Sequence, residues 1–143
     1  MKNIAILTLV LFSIVGCNKS NDVKPVYAED KIAPKIDVIS PVDSTNIICS
    51  SNIYLTATFT DETALKYCVI SIKKISDLKG LDISWTPVND TIKMEGKSFS
   101  VTDKLILATI PYNASLGSYN LNLDLYDMNN NVVNQNIKLI IPF

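Results

Sequence analysis

The feature that most constrains this chain is an alternation of apolar and polar residues near its C-terminus. The segment from Gly117 to Asn131 contains a glycine, an alternating stretch and then a polar turn. The alternating positions are Tyr119, Leu121, Leu123 and Leu125 on one side and Asn120, Asn122 and Asp124 on the other. A period of two predicts a half-buried β-strand, with one side on a core and the other in water. Such strands are typical of antiparallel sheets, so the rest of the chain must cover the apolar side.

The first residues carry an export signal rather than part of the fold. Lys2 precedes an almost unbroken apolar stretch from Ile4 to Val15. This stretch is shorter than the roughly 20 residues of a membrane-spanning helix, but it is typical of a secretory signal. It ends in Ile14-Val15-Gly16-Cys17, which resembles the lipobox of bacterial lipoproteins. The resemblance implies cleavage before Cys17 and lipidation of its thiol and its new amine. The alternative is an ordinary signal peptide that ends at a cysteine.

These features divide the chain into three parts. Residues 1–16 form a lipoprotein signal peptide, residues 17–32 a lipidated N-terminus and flexible tether, and residues 33–143 one domain. The tether is predicted from its polar residues, its proline and its lack of apolar periodicity. Each buried CH₂ contributes about 0.8 kcal/mol, so two or three acyl chains anchor a protein stably. We therefore expect the lipid on Cys17 to hold the protein in the bacterial outer membrane, facing the periplasm or the cell surface.

Composition excludes several classes of function. The chain has no histidine and no arginine, and its formal net charge is −1. Without a basic patch or guanidinium groups, nucleic acid is not an expected partner. The lack of histidine excludes Ser-His-Asp and Cys-His catalysis and histidine-ligated zinc. Two-carboxylate hydrolysis is chemically possible, but no carboxylate pair in the sequence argues for it, and we expect the protein not to be an enzyme.

Two cysteines remain besides Cys17. An oxidising compartment favours a disulfide between Cys49 and Cys68. However, Cys49 precedes one predicted strand at one end of the domain, and Cys68 begins the next strand at the opposite end. A rise of about 3.3 Å per residue separates them by more than about 15 Å, beyond the roughly 7 Å Cα limit for a disulfide. The sequence therefore predicts a buried free thiol at Cys68, unless a bent strand brings the pair together.

The remaining segments predict about seven short strands and no helix, which is typical of a β-sandwich. Strands are expected over residues 33–41, 52–60, 65–75, near 83–85, from 99 to 110, over 119–125 and over 132–141. Residues 46–49 are expected to pair only briefly. Pro34 and Pro41 bracket the first strand, so it should lie at a sheet edge.

With the strands placed, nearly the whole mature chain resembles the immunoglobulin-like lipoproteins of unknown function found in Bacteroidetes. The segments that carry the resemblance are Asp30 to Pro41, Leu55 to Asp61, Ile110-Pro111, Gly117-Ser118-Tyr119 and Asp127 to Asn130. The resemblance implies an immunoglobulin-like antiparallel β-sandwich. It also implies that Gly117 and Tyr119 form a tyrosine corner, in which the phenol bonds to nearby backbone. Asn129 stands where relatives have glycine, and asparagine tolerates the left-handed backbone.

Turn carboxylates are the candidate metal ligands. The residues are Asp61, Glu62, Asp127 and Asn129. Related bacterial immunoglobulin-like repeats collect calcium with such oxygen ligands, and no other cofactor is expected. The alternative is that Asp and Asn are present because they favour turns. Asp61 and Asp127 end strands that run toward the same pole of the predicted sandwich.

Aromatic residues are the candidate glycan contacts. Trp85 is the best single candidate, because it lies in the least regular part of the chain, and Tyr67, Tyr112 and Tyr126 accompany it. Their rings can stack on sugar rings. The alternative is that these aromatic side chains pack over the core.

Two short motifs match the pattern of protein O-glycosylation in the same phylum. They are Asp43-Ser44-Thr45 and Asp90-Thr91-Ile92, with Ser44 and Thr91 as acceptors. Both lie in predicted turns, where a transferase has access. Three-residue patterns also arise by chance.

These observations leave two hypotheses for function. In the first, the protein is a lipid-anchored cell-envelope binding or accessory module that presents its immunoglobulin-like domain to a glycan, peptide or protein partner. In the second, it is a structural or adhesive surface subunit that self-associates through exposed strand edges.

Overall fold

A computed structural model describes residues 29–77, 89–107 and 109–142, which form a β-sandwich. The predicted signal peptide, Cys17 and Trp85 lie outside the described residues. The strands are β1 (Lys35–Ser40), β2 (Thr45–Asn46), β3 (Ile53–Thr60), β4 (Leu65–Asp77), β5 (Asp90–Lys93), β6 (Ser98–Leu107), β7 (Gly117–Asp127) and β8 (Val132–Ile141). The predicted all-β fold is confirmed. Within the same residues, no helix has the length and apolar character needed to cross a membrane.

The strands form two sheets. One has three strands in the order β1-β3-β6, and the other has five in the order β2-β8-β7-β4-β5. Neighbouring strands are antiparallel, except that the short β2 pairs in parallel with β8. The strand between Pro34 and Pro41 lies at a sheet edge, as the prolines predict.

The alternating segment near the C-terminus becomes β7, which lies between β4 and β8 in the five-stranded sheet. Its apolar side chains are fully buried and its polar ones are partly exposed. The opposite sheet contributes Leu55, Ala57 and Phe59 from β3 to the same core. Because side chains alternate along a strand, each sheet also presents an outward face to solvent.

Three strands differ from the prediction, and the strand expected near residues 83–85 lies outside the described residues. β2 and β5 are only two and four residues long, too short for a period of two to be recognised. The strand expected to run to residue 110 ends at Leu107. The backbone of Ile110 instead bonds to the loop before β3, donating to Ser51 and accepting from Ser50.

The cysteines follow the sequence prediction. Cys49 and Cys68 are both free, and Cys68 is buried on the inward side of β4. Burial raises the pKa of the Cys68 thiol to about 12, and the charge of Asp124 adds to the effect. The folded protein therefore keeps this thiol protonated and unreactive at neutral pH.

Candidate functional site

Three carboxylates meet at one pole of the sandwich. β3 and β7 both run toward this pole, so Asp61 follows the end of one and Asp127 ends the other. Asp30, ahead of β1, completes the group. One carboxylate oxygen from each lies within 4.8 Å of those of the other two. We call Asp30, Asp61 and Asp127 the carboxylate cluster.

Asp61 is fixed by the turn that follows it. Its Oδ1 accepts hydrogen bonds from the backbone N–H groups of Thr63 and Ala64, at 2.9 and 2.7 Å. Its Oδ2 is buried and has no hydrogen-bond partner among the described residues. A buried carboxylate oxygen without a partner is costly, so this atom is a candidate ligand for a cation.

The hydroxyl of Thr63 links two members of the cluster. Its Oγ1 lies 2.8 Å from Asp61 Oδ1 and 3.0 Å from Asp30 Oδ2. A hydroxyl has one proton, so it donates to only one of these carboxylates at a time. Among the described residues the only ion pair joins Lys31 to Glu29, so no ammonium group pairs with the cluster.

Asp127 is held by the turn between β7 and β8. The carboxylate is fully buried and accepts from the backbone N–H of Asn131 at 2.8 Å and from its Nδ2 at 2.7 Å. The same amide group donates to the backbone carbonyl of Asp30 at 2.9 Å. The left-handed residue of this turn is Asn130, with φ of 66°, and not Asn129 as the sequence comparison implied.

The cluster has the chemistry of a site for a hard cation. Carboxylate oxygens are the ligands that Ca²⁺ prefers, and a cation would relieve the repulsion among three negative charges. The structure brings together Asp61 and Asp127, which the sequence predicted. Glu62 is exposed and is not part of the group, and Asn129 is half-buried in the turn. Sequence reasoning missed Asp30 because it assigned that residue to the tether, although the family-like segment begins there.

A second candidate region is the outward face of the five-stranded sheet, where Tyr67 and Tyr126 form a pair. The two residues are directly opposite on β4 and β7. Their ring centroids are 4.8 Å apart, with 33° between the ring planes. The ammonium of Lys66 lies 5.6 Å from the centre of the Tyr67 ring and donates to Asn130 Oδ1 at 2.6 Å. Both rings are partly exposed, so they are available to a ligand.

Beyond the tyrosines, the same face is built from amide and carboxylate side chains. We call this set the amide face; it consists of Asn120, Asn122, Asp124, Asn134 and Asn136. Asp124 is opposite Asn134 and Asn122 is opposite Asn136 on β7 and β8. Asn134 donates to Asp124, Asn136 donates to Asn134 at 2.8 Å, and Asn122 donates to Ser71 Oγ at 3.5 Å.

The third described aromatic candidate, Tyr112, does not join this pair. Tyr112 is 83% exposed and lies in the loop before β7, at the pole opposite the carboxylate cluster. Trp85 falls outside the described residues. Of the predicted glycan contacts within the described residues, only Tyr126 and its partner Tyr67 therefore come together, and adjacency in the sheet is the property that sequence alone did not give.

The two O-glycosylation candidates differ in setting. Ser44 is exposed in a turn, as predicted, and has a left-handed backbone with φ of 62°. Asp43 beside it accepts a hydrogen bond from the Lys138 backbone N–H at 2.9 Å, and this bond lowers the pKa of Asp43. Thr91 was expected in a turn but lies in β5, where the single buried residue Ile92 anchors a short edge strand. Its side chain is nevertheless exposed.

The residues assigned to a tyrosine corner have the corresponding geometry. The hydroxyl of the buried Tyr119 donates to the backbone carbonyl of Ser115 at 2.6 Å. Gly117 has φ of 132°, a conformation that side chains rarely adopt. These two residues fix the entry of the chain into β7.

The chain matches no protein-family model, and no curated protein resembles it. Function is therefore argued from the residues and their geometry.

Proposed function

We propose that this protein is a lipid-anchored module of the bacterial cell envelope that uses an immunoglobulin-like sandwich to bind a partner. The observation that carries the proposal is the sequence Ile14-Val15-Gly16-Cys17, which directly follows a short apolar segment and precedes a domain with its own buried core. Such an arrangement tethers a folded domain to a lipid surface. The domain serves as a binding or accessory unit rather than an enzyme.

The strand edges favour binding of a partner over self-association. β1 is an edge strand with Lys35 and Asp37 exposed on it, and charged side chains discourage edge-to-edge pairing. Ile39, which is 64% exposed on the same strand, is the feature that supports the adhesive alternative. Sedimentation velocity separates the two. A monomer over a wide concentration range supports the binding module, whereas concentration-dependent assembly that is lost in Ile39→Lys supports self-association.

The anchor is tested by metabolic labelling of cells with an alkyne analogue of palmitate. The wild-type protein should take up the label, and Cys17→Ser should take up none and retain its signal peptide. Cys49→Ser is the matched control, because it removes a cysteine within the domain and should label as strongly as the wild type. Equal labelling of Cys17→Ser would exclude lipidation at this residue.

Protease treatment of intact cells, followed by immunoblotting, then shows on which side of the outer membrane the domain lies. Degradation on intact cells would place the partner outside the cell. Protection until lysis would place the domain in the periplasm and direct the search to envelope components.

We propose secondly that the carboxylate cluster binds Ca²⁺. The support is the group of three carboxylates within 4.8 Å and the buried Asp61 Oδ2 that has no hydrogen-bond donor. Asp30, Asp61 and Asp127 would supply oxygen ligands, and the cation would join the segment before β1 to the ends of β3 and β7. Its role would be structural.

A further inference from the structure

The amide face has residue types that strand formation does not favour. Asparagine and aspartate are depleted in β-strands, whereas threonine and aromatic residues are enriched. Yet five such residues occupy outward positions on two adjacent strands. Asn120, Asn122 and Asp124 lie on the central strand β7, and Asn134 and Asn136 lie on the part of β8 beyond its pairing with β2. Hydrogen bonds join Asn134 to Asp124 and Asn136 to Asn134, but shorter side chains with favourable β-propensity would also suit these outward positions. Residues that contradict local preference mark candidate functional sites.

These side chains suit a ligand that both donates and accepts hydrogen bonds. An asparagine amide offers two N–H donors and a carbonyl with two lone pairs. Asn136 uses one donor toward Asn134, and Asn122 makes a long bond of 3.5 Å to Ser71, so both amides keep unused capacity. A sugar hydroxyl, which is donor and acceptor at once, is complementary to such groups.

The tyrosine pair extends the amide face toward the pole with the carboxylate cluster. Tyr126 and Asn120 are six residues apart on β7, which corresponds to about 20 Å along a strand. The face is therefore a strip with aromatic rings at one end and amides along the rest. Aromatic rings pack against the apolar C–H surface of a sugar ring, while the amides take its hydroxyls.

Among the described residues, the charges around the strip nearly cancel. Its lysines are Lys66, Lys73, Lys93 and Lys138, and its carboxylates are Asp43, Glu95 and Asp124. Asp43 lies close enough to Lys138 for their charges to interact. With four positive and three negative charges, this surface attracts an anionic polymer only weakly. It is therefore most compatible with an uncharged ligand.

We propose that the tyrosine pair and the amide face together bind a neutral glycan chain. Tyr67 and Tyr126 stack on a sugar ring, and Asn122, Asn134 and Asn136 bond to the hydroxyls of neighbouring sugars. The inference rests on the proposed function, since it names the partner of the binding module.

The test is affinity electrophoresis of the full-length protein in a detergent that contains no sugar. The native gels contain mannan, dextran or laminarin as neutral probes, and hyaluronan or polygalacturonate as acidic probes. At least one neutral polysaccharide should retard the wild-type protein. Tyr67→Ala and Tyr126→Ala should each weaken that retardation at least about tenfold, as truncation of a central aromatic anchor does.

Tyr54→Ala is the matched control, because Tyr54 is a partly exposed tyrosine on the outward face of the other sheet. Tyr112→Ala serves as a second control at the opposite pole. Both should be retarded like the wild type. Thermal unfolding of each variant verifies folding. If a tyrosine variant does not fold, Asn136→Ala, which removes only an exposed amide, takes its place.

Several outcomes would overturn the proposal: retardation by none of the neutral probes, retardation by acidic probes alone, or equal losses in the Tyr54 and Tyr67 variants. None of these outcomes touches the anchor, which palmitate labelling tests independently. If the protein is lipidated but no polysaccharide retards it, the proposal of a lipid-anchored envelope module stands and only the proposal of a glycan ligand is rejected.

Discussion

The two sheets of this sandwich present very different outward faces to solvent. On the three-stranded sheet, the polar side chains are mainly short hydroxyls: Thr58 bonds to Ser100 across the strands at 3.1 Å, and Thr56 bonds to Asp103 at 3.3 Å. On the five-stranded sheet, the polar positions carry amides, a carboxylate, lysines, one serine and a tyrosine pair. Both faces satisfy the same alternation of inward and outward residues.

This difference shows which outward residues the fold requires and which it only tolerates. Alternation needs only polar residues on the outside, and threonine fulfils that need with favourable β-propensity. The three-stranded sheet follows this preference, and the five-stranded sheet departs from it. The departure is therefore the better indication of a binding surface.

The largest expected effect contrasts the two sides of β7. Leu123 is fully buried and Asn122 beside it faces outward. Leu123→Ala should lower the free energy of unfolding by about 2–5 kcal/mol, because it leaves a cavity in the core. Asn122→Ala should change it by less than about 0.5 kcal/mol, as at an ordinary surface position. Urea denaturation measures both. If Asn122→Ala lowered the free energy of unfolding by more than about 1.5 kcal/mol, the Asn122 amide would have a structural role. The contrast between the two outward faces would then be weaker evidence for binding.

The second largest expected effect is stabilisation by Ca²⁺, which should depend on the carboxylate cluster and not on the amide face. Extracellular calcium modules commonly bind with dissociation constants of 10⁻⁴ to 10⁻³ M. At 10 mM Ca²⁺ this corresponds to a stabilisation of about 1.4–2.7 kcal/mol. Thermal unfolding with Ca²⁺ and with EDTA should show that increase in the wild type, and Asp61→Asn should abolish it.

Asp37→Asn is the matched control for calcium, since Asp37 is an exposed carboxylate on β1 outside the cluster. Its response to Ca²⁺ should equal that of the wild type. EDTA should leave polysaccharide retardation unchanged, because the amide face does not depend on the cluster. A melting temperature independent of Ca²⁺ would mean that the buried Asp61 oxygen is satisfied in another way.

The two faces also show what sequence can and cannot predict. The alternation from Tyr119 to Leu125 is a local signal, and it correctly gave the strand and its buried side. The pairing of Tyr67 with Tyr126 depends on the register between β4 and β7, which joins residues far apart in the chain. Single-strand periodicity contains no information on register.

The carboxylate cluster was predictable only in part for a related reason. Asp61 and Asp127 could be placed at the same pole, because in the predicted sandwich topology the strands that precede them run in the same direction. Asp30 joins them through Thr63 and Asn131, contacts that lie 33 and 101 residues away in sequence. The residues around Asp30 in the sequence are polar, which is typical of a tether. The local sequence does not distinguish a residue in a tether from one that is held against the domain.

A smaller effect concerns the inward side of the five-stranded sheet, where the buried Cys68 thiol has a raised pKa of about 12 against an ordinary value of 9.0. Since the folded pKa is the higher one, this contribution to stability is complete below pH 9 and is lost as pH rises toward 12. At pH 10 the loss should be about 1.4 kcal/mol relative to pH 8. Urea denaturation at both pH values should show that Cys68→Ala lacks this component. Cys49→Ala, which keeps the buried thiol, should retain it; equal pH dependence in all three proteins would contradict the assignment.

The smallest effect tests the comparison most directly, by exchanging the chemistry of the two faces. Asn122 and Asn136 are a cross-strand pair on one sheet, and Thr58 and Ser100 are a cross-strand pair on the other. The double variant Asn122→Thr/Asn136→Thr should gain up to about 1 kcal/mol in stability, because threonine suits a strand better. It should also lose retardation by the neutral polysaccharide. The reciprocal variant Thr58→Asn/Ser100→Asn should lose a similar amount of stability and keep its retardation. If Asn122→Thr/Asn136→Thr instead lowers the stability of the protein, the two asparagines contribute to the packing of the sheet. The contrast between the two faces would then result from the requirements of folding and not from ligand binding.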